Sequence, residues 1–527
     1  MHYRCDNIKI KFEDLRTARP REAVINKLRL NENSVKNFRI LKESLDSRFH
    51  RTSGIFYVYS AEFDYPDRIH DSRVKLNGPK NVNAPLPRIS TLKPHPVIIG
   101  AGPAGLFAAL RLTECGMQPL ILEMGKKTDE RSADVKKFWE TGELNTASNV
   151  QFGLGGAGTF SDAKLMTRVK STLCDYVYEQ FVRFGAPEQI LWQSKPHLGT
   201  DKVRKIVSAM QKHLEENGAQ FLFETKMTDI IITDGAVSGI IVNDSTELTA
   251  DCLILACGNA SRDTFELLER KGIALQKKPF AAGVRVEHEQ ELINRYIYGR
   301  YASEPRLPAA QYQLTYKDSD TGRNVYTFCC CPGGLVINAS SEPDGIATNG
   351  MSFSGRSLAN ANSAVVVNIR AEDFASPSPL AGMEFQRQTE RKAFNASGST
   401  HSAPVMSIAG FLGLNSEYST ASATVRPSQT QADFYDIFPD FILSPLKSAL
   451  MSFCGKISGF SSGIMTAPET RTSSPVTVLR DKNTLESTST KGLFPSGEGS
   501  GYSGGIVSSA VDALRTADAI IKSYGSL

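Results

Sequence analysis

The segment Val97-Ile98-Ile99-Gly100-Ala101-Gly102-Pro103-Ala104-Gly105 constrains the fold more than any other part of the chain. An apolar strand runs into GxGxxG spacing, and the helix-prone stretch LFAALRLTECG follows. Gly100 permits a tight turn out of the strand. Gly102 lets the backbone approach a pyrophosphate, and Gly105 lets helix and strand pack closely. Pro103 suits a first helical turn, where its missing N–H costs nothing, and Gly116 suits the stop of a helix over 103–115. That helix aims its positive end, with Ala104 in its first turn, at phosphates. A second strand over 119–122 ends at Glu123, followed by Met124. The Glu123 carboxylate is placed to accept hydrogen bonds from ribose hydroxyls, and it disfavours a 2′-phosphate by like charge. The alternative is a Gly-rich turn in an unrelated α/β protein. The strand before the motif, the helix after it and the acid at the expected distance favour a Rossmann-type dinucleotide site.

Two more segments favour FAD over NAD. The first, Cys252-Leu253-Ile254-Leu255-Ala256-Cys257-Gly258, is an apolar strand that ends in small residues. The second, near the C-terminus, reads Gly492-Leu493-Phe494-Pro495-Ser496-Gly497-Glu498-Gly499 and continues SGYSGGIVSSAVDALRTADAII. Glu498 is the candidate for the ribityl chain, after the turn at Gly497. A helix starting near Gly504, Gly505 and Ile506 would point its positive end at the flavin and stabilise charge gained on reduction. A simple nicotinamide dehydrogenase needs no such distant piece. The loop from Gln151 to Leu165 carries Gly155, Gly156, Ala157, Gly158, Thr159, Phe160 and Asp162. Its glycines let the backbone pass close to a flat ring or a phosphate. Asp162 and Lys164 could then face the flavin or a substrate. A plain surface turn is the competing reading.

The chain is long enough for two or three domains. Period-two alternation over 55–63, with 38–45 as partner, indicates a small α+β domain over 1–90. Prolines 79, 85, 87, 94 and 96 mark a linker over 73–96. The fold class expected is α/β, with a Rossmann-like FAD-binding domain over 91–272 and 467–527. Between them lies an inserted α+β substrate or cap domain over 273–466. A helix over 202–217 has Thr200 or Asp201 available as cap.

The formal charge of +4, from 60 basic and 56 acidic side chains, argues against a nucleic-acid partner. No apolar run approaches a membrane span, and no signal-peptide core is visible. Nine cysteines at irregular spacing, with no CxxC pair, argue against a disulfide framework and a zinc ribbon. No metal is expected. Free thiols fit the cytoplasm. The oligomeric state is left open.

Together GAGPAG, QFGLGGAGTFSDAKL, FAAGVRVEH, CCCPGG, TNGMSFSGR and PSGEGSGYSGGIVSSAVDAL resemble the bacterial and plastid FAD-dependent dehydrogenase family, over nearly the whole chain from about residue 20. Its members are known as FAD-dependent or NAD(P)/FAD-dependent oxidoreductases. More distantly the fold is similar to glutathione-reductase-type flavoproteins. The resemblance implies FAD at the glycines and acids above. It also implies Arg131 near the phosphates and Met227 against the adenine. Leu154, Ala163, Cys330 and Gln290 depart from the family pattern, where Glu, Gly, Met and another residue are expected.

The expected activity is that of an FAD-dependent oxidoreductase. It would move a hydride between flavin and a small-molecule substrate, with NAD(P)H as an electron donor that has no Rossmann domain of its own. Lys164, Arg285 and Cys331 are the catalytic candidates. Arg285 could bind a carboxylate or steady reduced flavin; its alternative is a surface ion pair. The run Cys329-Cys330-Cys331 is a redox candidate, although adjacent cysteines bridge only under strain and buried thiols commonly serve packing. His288 and His401 read as surface or core histidines. Two competing classes are a flavin-dependent RNA-modifying or monooxygenating protein and a module with structural FAD.

Overall fold

A computed structural model describes residues 1–16, 19–48, 50, 52, 54–77, 95–414 and 422–524. Most of the proline-rich linker lies outside these residues. Its first part is a correction to the sequence reading: Val74–Leu76 is a strand that pairs antiparallel with His2–Lys11.

Five short apolar strands form a parallel sheet in the order Leu493–Pro495, Cys252–Leu255, Pro96–Ile99, Leu120–Leu122 and Gln220–Leu222. The middle strands are apolar throughout because both faces are covered. On one face pack the helices Pro103–Glu114, Leu173–Arg183, Thr200–Glu216 and Ile506–Tyr524, through Leu106, Phe181, Val203 and Val511. On the other lie a three-stranded antiparallel sheet over 227–249 and the helix Arg262–Arg270. Each fully buried Leu, Ile or Phe here contributes roughly 1.5–3 kcal/mol. The structure is thus mixed α/β with a Rossmann-type core.

An eight-stranded sheet forms the second layer system. Its central strands Asn324–Asn338, Asn360–Ile369, Phe280–Glu289 and Ile464–Glu469 are antiparallel neighbours. Val284, Val286, Val365 and Val367 pack with Leu446, Leu450 and Phe453 of the helix Asp440–Lys456. Alternation along each strand places Arg285, Ala364, Tyr326 and Phe328 on the opposite face.

The N-terminal sheet, in the order Lys36–Asp46, Phe56–Asp64, His2–Lys11, Val74–Leu76, packs on the helix Pro20–Leu28. Glu43 joins it to the rest through backbone hydrogen bonds with Trp192 (2.7 Å) and Ser194 (2.8 Å). No helix among the described residues is long and apolar enough to cross a membrane.

Candidate functional site

The C-terminal ends of the parallel strands open into a cavity of about 1650 Å³. Ile99, Leu122 and Ala256 line it at the strand ends, and Gly100, Gly102, Pro103 and Ala104 line it at the first loop. Distant segments close on this point. A side chain at Gly497 would stand 2.8 Å from the Ala104 Cβ, and one at Gly158 would stand 3.2 Å from the Ile506 side chain. The GxGxxG loop, the glycine loop and the C-terminal turn therefore touch one another.

Most of the expected cofactor residues line the same cavity. Besides those at the first loop, they are Glu123, Met124, Gly156, Ala157, Gly158, Asp162, Met227, Ala256, Cys257, Gly258, Glu498, Gly504, Gly505 and Ile506. The shape suits a dinucleotide. A Cβ at Gly102 would meet only a backbone carbon 3.8 Å away, and one at Gly258 or Gly504 would meet nothing within 4 Å. Side chains there would project into the cavity instead of the protein. FAD fits this cradle of bare backbone, with Glu123 and Glu498 at two separated positions along it.

Six expected cofactor residues do not line the cavity. Gly105 packs against the Gly100 carbonyl, as helix–strand contact requires. Gly497 meets Ala104, and Gly155 faces Thr159 and Val207. Arg131 corrects the expectation of a phosphate contact. It is 1% exposed. It donates to the carbonyls of Asn149 (2.8 Å), Val150 (2.9 Å), Gly153 (3.2 Å), Leu154 (2.9 Å) and Gly156 (3.0 Å) and to the Thr159 hydroxyl (2.7 Å). All of its hydrogen-bonding capacity goes into shaping the glycine loop. Thr159 and Phe160 are corrected likewise. The Thr159 hydroxyl donates to the Gly156 carbonyl, and the Phe160 ring lies beneath the guanidinium groups of Arg131 and Arg204.

Glu123 accepts from the backbone N–H groups of Ala101 (2.9 Å), Gly125 (2.9 Å) and Gly153 (2.8 Å). A carboxylate has about four acceptor sites, so one remains for a hydroxyl. Glu498 accepts from the Asn259 amide at 2.7 Å. Burial pushes its pKa up to about 7, against Lys278 and Asn259, which pull it down.

Further along the wall, Lys164 lies 2.7 Å from Asp162. The Asp162 carboxylate also accepts from Arg356 (3.0 and 2.5 Å) and from the Ser352 hydroxyl. Burial alone would raise its pKa, but Lys164 and Arg356 outweigh burial and hold it at about 2. Burial opposes the Lys164 charge too, and the cysteine sulfurs and Asp162 overcome it, so the ammonium persists above the usual lysine range. Ala163, between them, has a φ of 50°, a left-handed conformation that explains why glycine is expected there.

Arg285 is fully buried and absent from the cavity wall, which corrects both of its sequence readings. It donates to both oxygens of Glu469 (2.8 and 2.5 Å), to Asn362 (3.1 Å), to Asn349 (3.2 Å) and to the Cys329 carbonyl (3.1 Å). Its five donors are spent, so it positions Glu469, Asn349 and Cys329, which do line the cavity. Cys331 is fully buried and does not line the cavity, whereas its neighbours Cys329 and Cys330 do. Its Sγ lies 3.9 Å from the Lys164 Nζ and donates to the Cys329 carbonyl at 3.3 Å. His288 is a core residue packed on Phe460, and His401 is half-buried between Phe138 and Phe394.

Beyond Cys329 the cavity continues over the pair Thr315–Lys317 and Asn324–Asn338. Thr315, Lys317, Asn324, Tyr326 and Phe328 share the exposed face. Arg168 and Lys195 also line the cavity. Sequence reasoning missed Arg356, Glu469 and Asn259. Their partners lie 184 to 239 residues away, and no local spacing signals such pairs.

Residues 279–472 match a family model described as FAD-dependent protein, C-terminal domain-like, and residues 96–276 match that of glucose inhibited division protein A. An uncharacterised protein of Clostridium beijerinckii is 39% identical over 99% of both chains. A thiamine thiazole synthase of Aeropyrum pernix is 25% identical over 39% of this chain and 69% of its own. Glycine oxidase from Bacillus cereus shares 12% identity over 82% of this chain and 95% of its own, with a TM-score of 0.35. FAD is the cofactor to which the family models and the cavity both point. The chain belongs to the same family as its full-length Clostridium beijerinckii relative, a family of FAD-dependent oxidoreductases.

Proposed function

We propose that this chain is a dehydrogenase or reductase that moves a hydride between FAD and a small molecule held over Tyr326 and Phe328, with a reduced nicotinamide as electron donor. The continuity of the cavity carries this reading. One uninterrupted space connects the GxGxxG loop, Glu498 and the sheet face of Tyr326 and Phe328.

Bound FAD supplies the hydride chemistry. The chain supplies binding, orientation and charge. Gly102 and the helix Pro103–Glu114 accommodate the pyrophosphate, Glu123 the ribose, and Glu498 the ribityl hydroxyls. The N-terminal amides of the helix Ile506–Tyr524 offer partial positive charge to a reduced ring. Lys164 remains protonated at neutral pH and can donate a hydrogen bond to a substrate oxygen or nitrogen, while Asp162 fixes its position. Tyr326 and Phe328 exclude water from one side of this part of the cavity.

The test is anaerobic. Flavin absorbance is followed while NADH, NADPH and then a metabolite library are added. Bleaching by a nicotinamide or by one metabolite supports the reading. Bound flavin that answers dithionite but none of these compounds contradicts it.

A further inference from the structure

We propose that Cys329 and Cys331 form a two-electron dithiol–disulfide couple that exchanges electrons with the flavin, an inference that rests on this cavity being the flavin site. The strand Asn324–Asn338 loses register with its neighbour between Phe328 and Cys331. Cys329 itself has a φ of 49°, a conformation that strands avoid. This irregularity lets the Cys331 Sγ turn back toward Cys329, whose carbonyl it meets at 3.3 Å. Cys329 stands on the cavity wall, and Cys331, two residues on, is fully buried.

Two cations flank the pair. Lys164 Nζ is 3.9 Å from the Cys331 Sγ, and Arg285 donates to the Cys329 carbonyl at 3.1 Å. Such an environment favours a thiolate. The hydrogen bond with Cys331, together with Lys164 and Arg285, pulls Cys329 well below the usual thiol range despite its burial. Cys5 and Cys115 behave oppositely: apolar burial pushes each up to about 11, where thiols are inert. A disulfide between residues two apart closes a small, strained ring, which makes it easy to reduce.

In the oxidised couple, breaking the Cys329–Cys331 S–S bond takes one electron pair and one proton, which bound FAD in its reduced state would supply. Cys331 carries the proton as a thiol, and Cys329 remains a thiolate. The Cys329 thiolate then attacks an acceptor disulfide of small-molecule size admitted through the cavity. Cys331 displaces the mixed disulfide, re-forming the Cys329–Cys331 bond, and the acceptor leaves as two thiols, one of them ionised.

The experiment uses the FAD-loaded full chain, with flavin content measured first. The protein is oxidised with a small-molecule disulfide, freed of excess reagent and titrated anaerobically with dithionite. Samples taken before and after are denatured, alkylated and mapped by mass spectrometry. Wild type and Cys330→Ser should consume one electron pair per FAD more than Cys329→Ser or Cys331→Ser. Oxidised wild type should leave Cys329 and Cys331 unalkylated, and reduction should restore both. The peptide map needs wild type alone, so it decides even where a serine variant fails to fold. FAD-loaded wild type that takes up only the flavin's own electron pair, with both cysteines alkylated throughout, overturns the couple and leaves the cavity reading standing. Protein that holds no FAD overturns that reading instead.

Discussion

Gly102 and Gly105 are three residues apart, and their substitutions should fail in different ways. A Cβ at Gly105 would collide with the Gly100 carbonyl, so Gly105→Ala should cost about 3 kcal/mol or more of stability, read from urea denaturation. A side chain at Gly102 enters empty cavity, so Gly102→Val should fold with wild-type stability and lose FAD affinity. Glu498 gives a pH signature. Its carboxyl, ordinarily titrating near 4.5, is raised to about 7 by burial. A raised acid favours folding below its unfolded pKa, and that advantage fades as pH rises through the folded value. In FAD-free protein, Glu498→Gln should therefore gain stability relative to wild type between about pH 4.5 and 7, then level off. At about 1.4 kcal/mol per pKa unit, the gain reaches at most roughly 3 kcal/mol. Thermal melts across that range check it; a constant difference would contradict it. Asp162→Asn should be costlier. It leaves Lys164 and Arg356 facing each other with no charged partner, a loss of about 3–5 kcal/mol in denaturation midpoint terms. These residue roles were unevenly legible. Glycine spacing announces a backbone cradle because the constraint is local. Arg131 is not legible in that way, because its six partners are loop atoms that exist only after the loop has folded around it.

The elements themselves were easier to read than their fastenings. The helix after the GxGxxG loop spans Pro103–Glu114, and the C-terminal helix starts at Ile506, each where sequence spacing places it. The helix Thr200–Glu216 also forms, but not with the cap expected of it. Its N-cap is Gly199, with a φ of 78°. Thr200 donates to the Thr159 carbonyl, and Asp201 accepts from the backbone and hydroxyl of Ser354, both at 2.7 Å. Tertiary partners have taken the two side chains that local rules assign to the helix end. Asp201→Ala should therefore loosen the loop at Ser354 against this helix and cost about 1–2 kcal/mol. Hydrogen exchange should speed up at Ser354 and leave the helix interior protected. Exchange confined to the first helical turn would instead restore a capping role. The antiparallel sheet follows the same division. The pairing of Arg285 with Glu469 across 184 residues leaves no local signal in the strand Phe280–Glu289.

At the scale of the whole molecule, the account depends on segments roughly four hundred residues apart in sequence building one binding surface. The parallel sheet makes this possible by placing Leu493–Pro495 beside Cys252–Leu255 and that strand beside Pro96–Ile99. All three strands end at the cavity, so their loops face a common ligand. Glycines at positions 102 and 504 belong to the two ends of this arrangement, and neither supports its surroundings with a side chain. The measurement that tests the claim most directly is calorimetric titration of FAD into FAD-free protein, for wild type, Gly102→Val and Gly504→Val, with folding checked by circular dichroism. Wild type should bind one FAD per chain, and both variants should remain folded and lose at least tenfold in affinity. If wild type binds no FAD, or if either folded variant binds as tightly as wild type, the two segments do not share the cofactor.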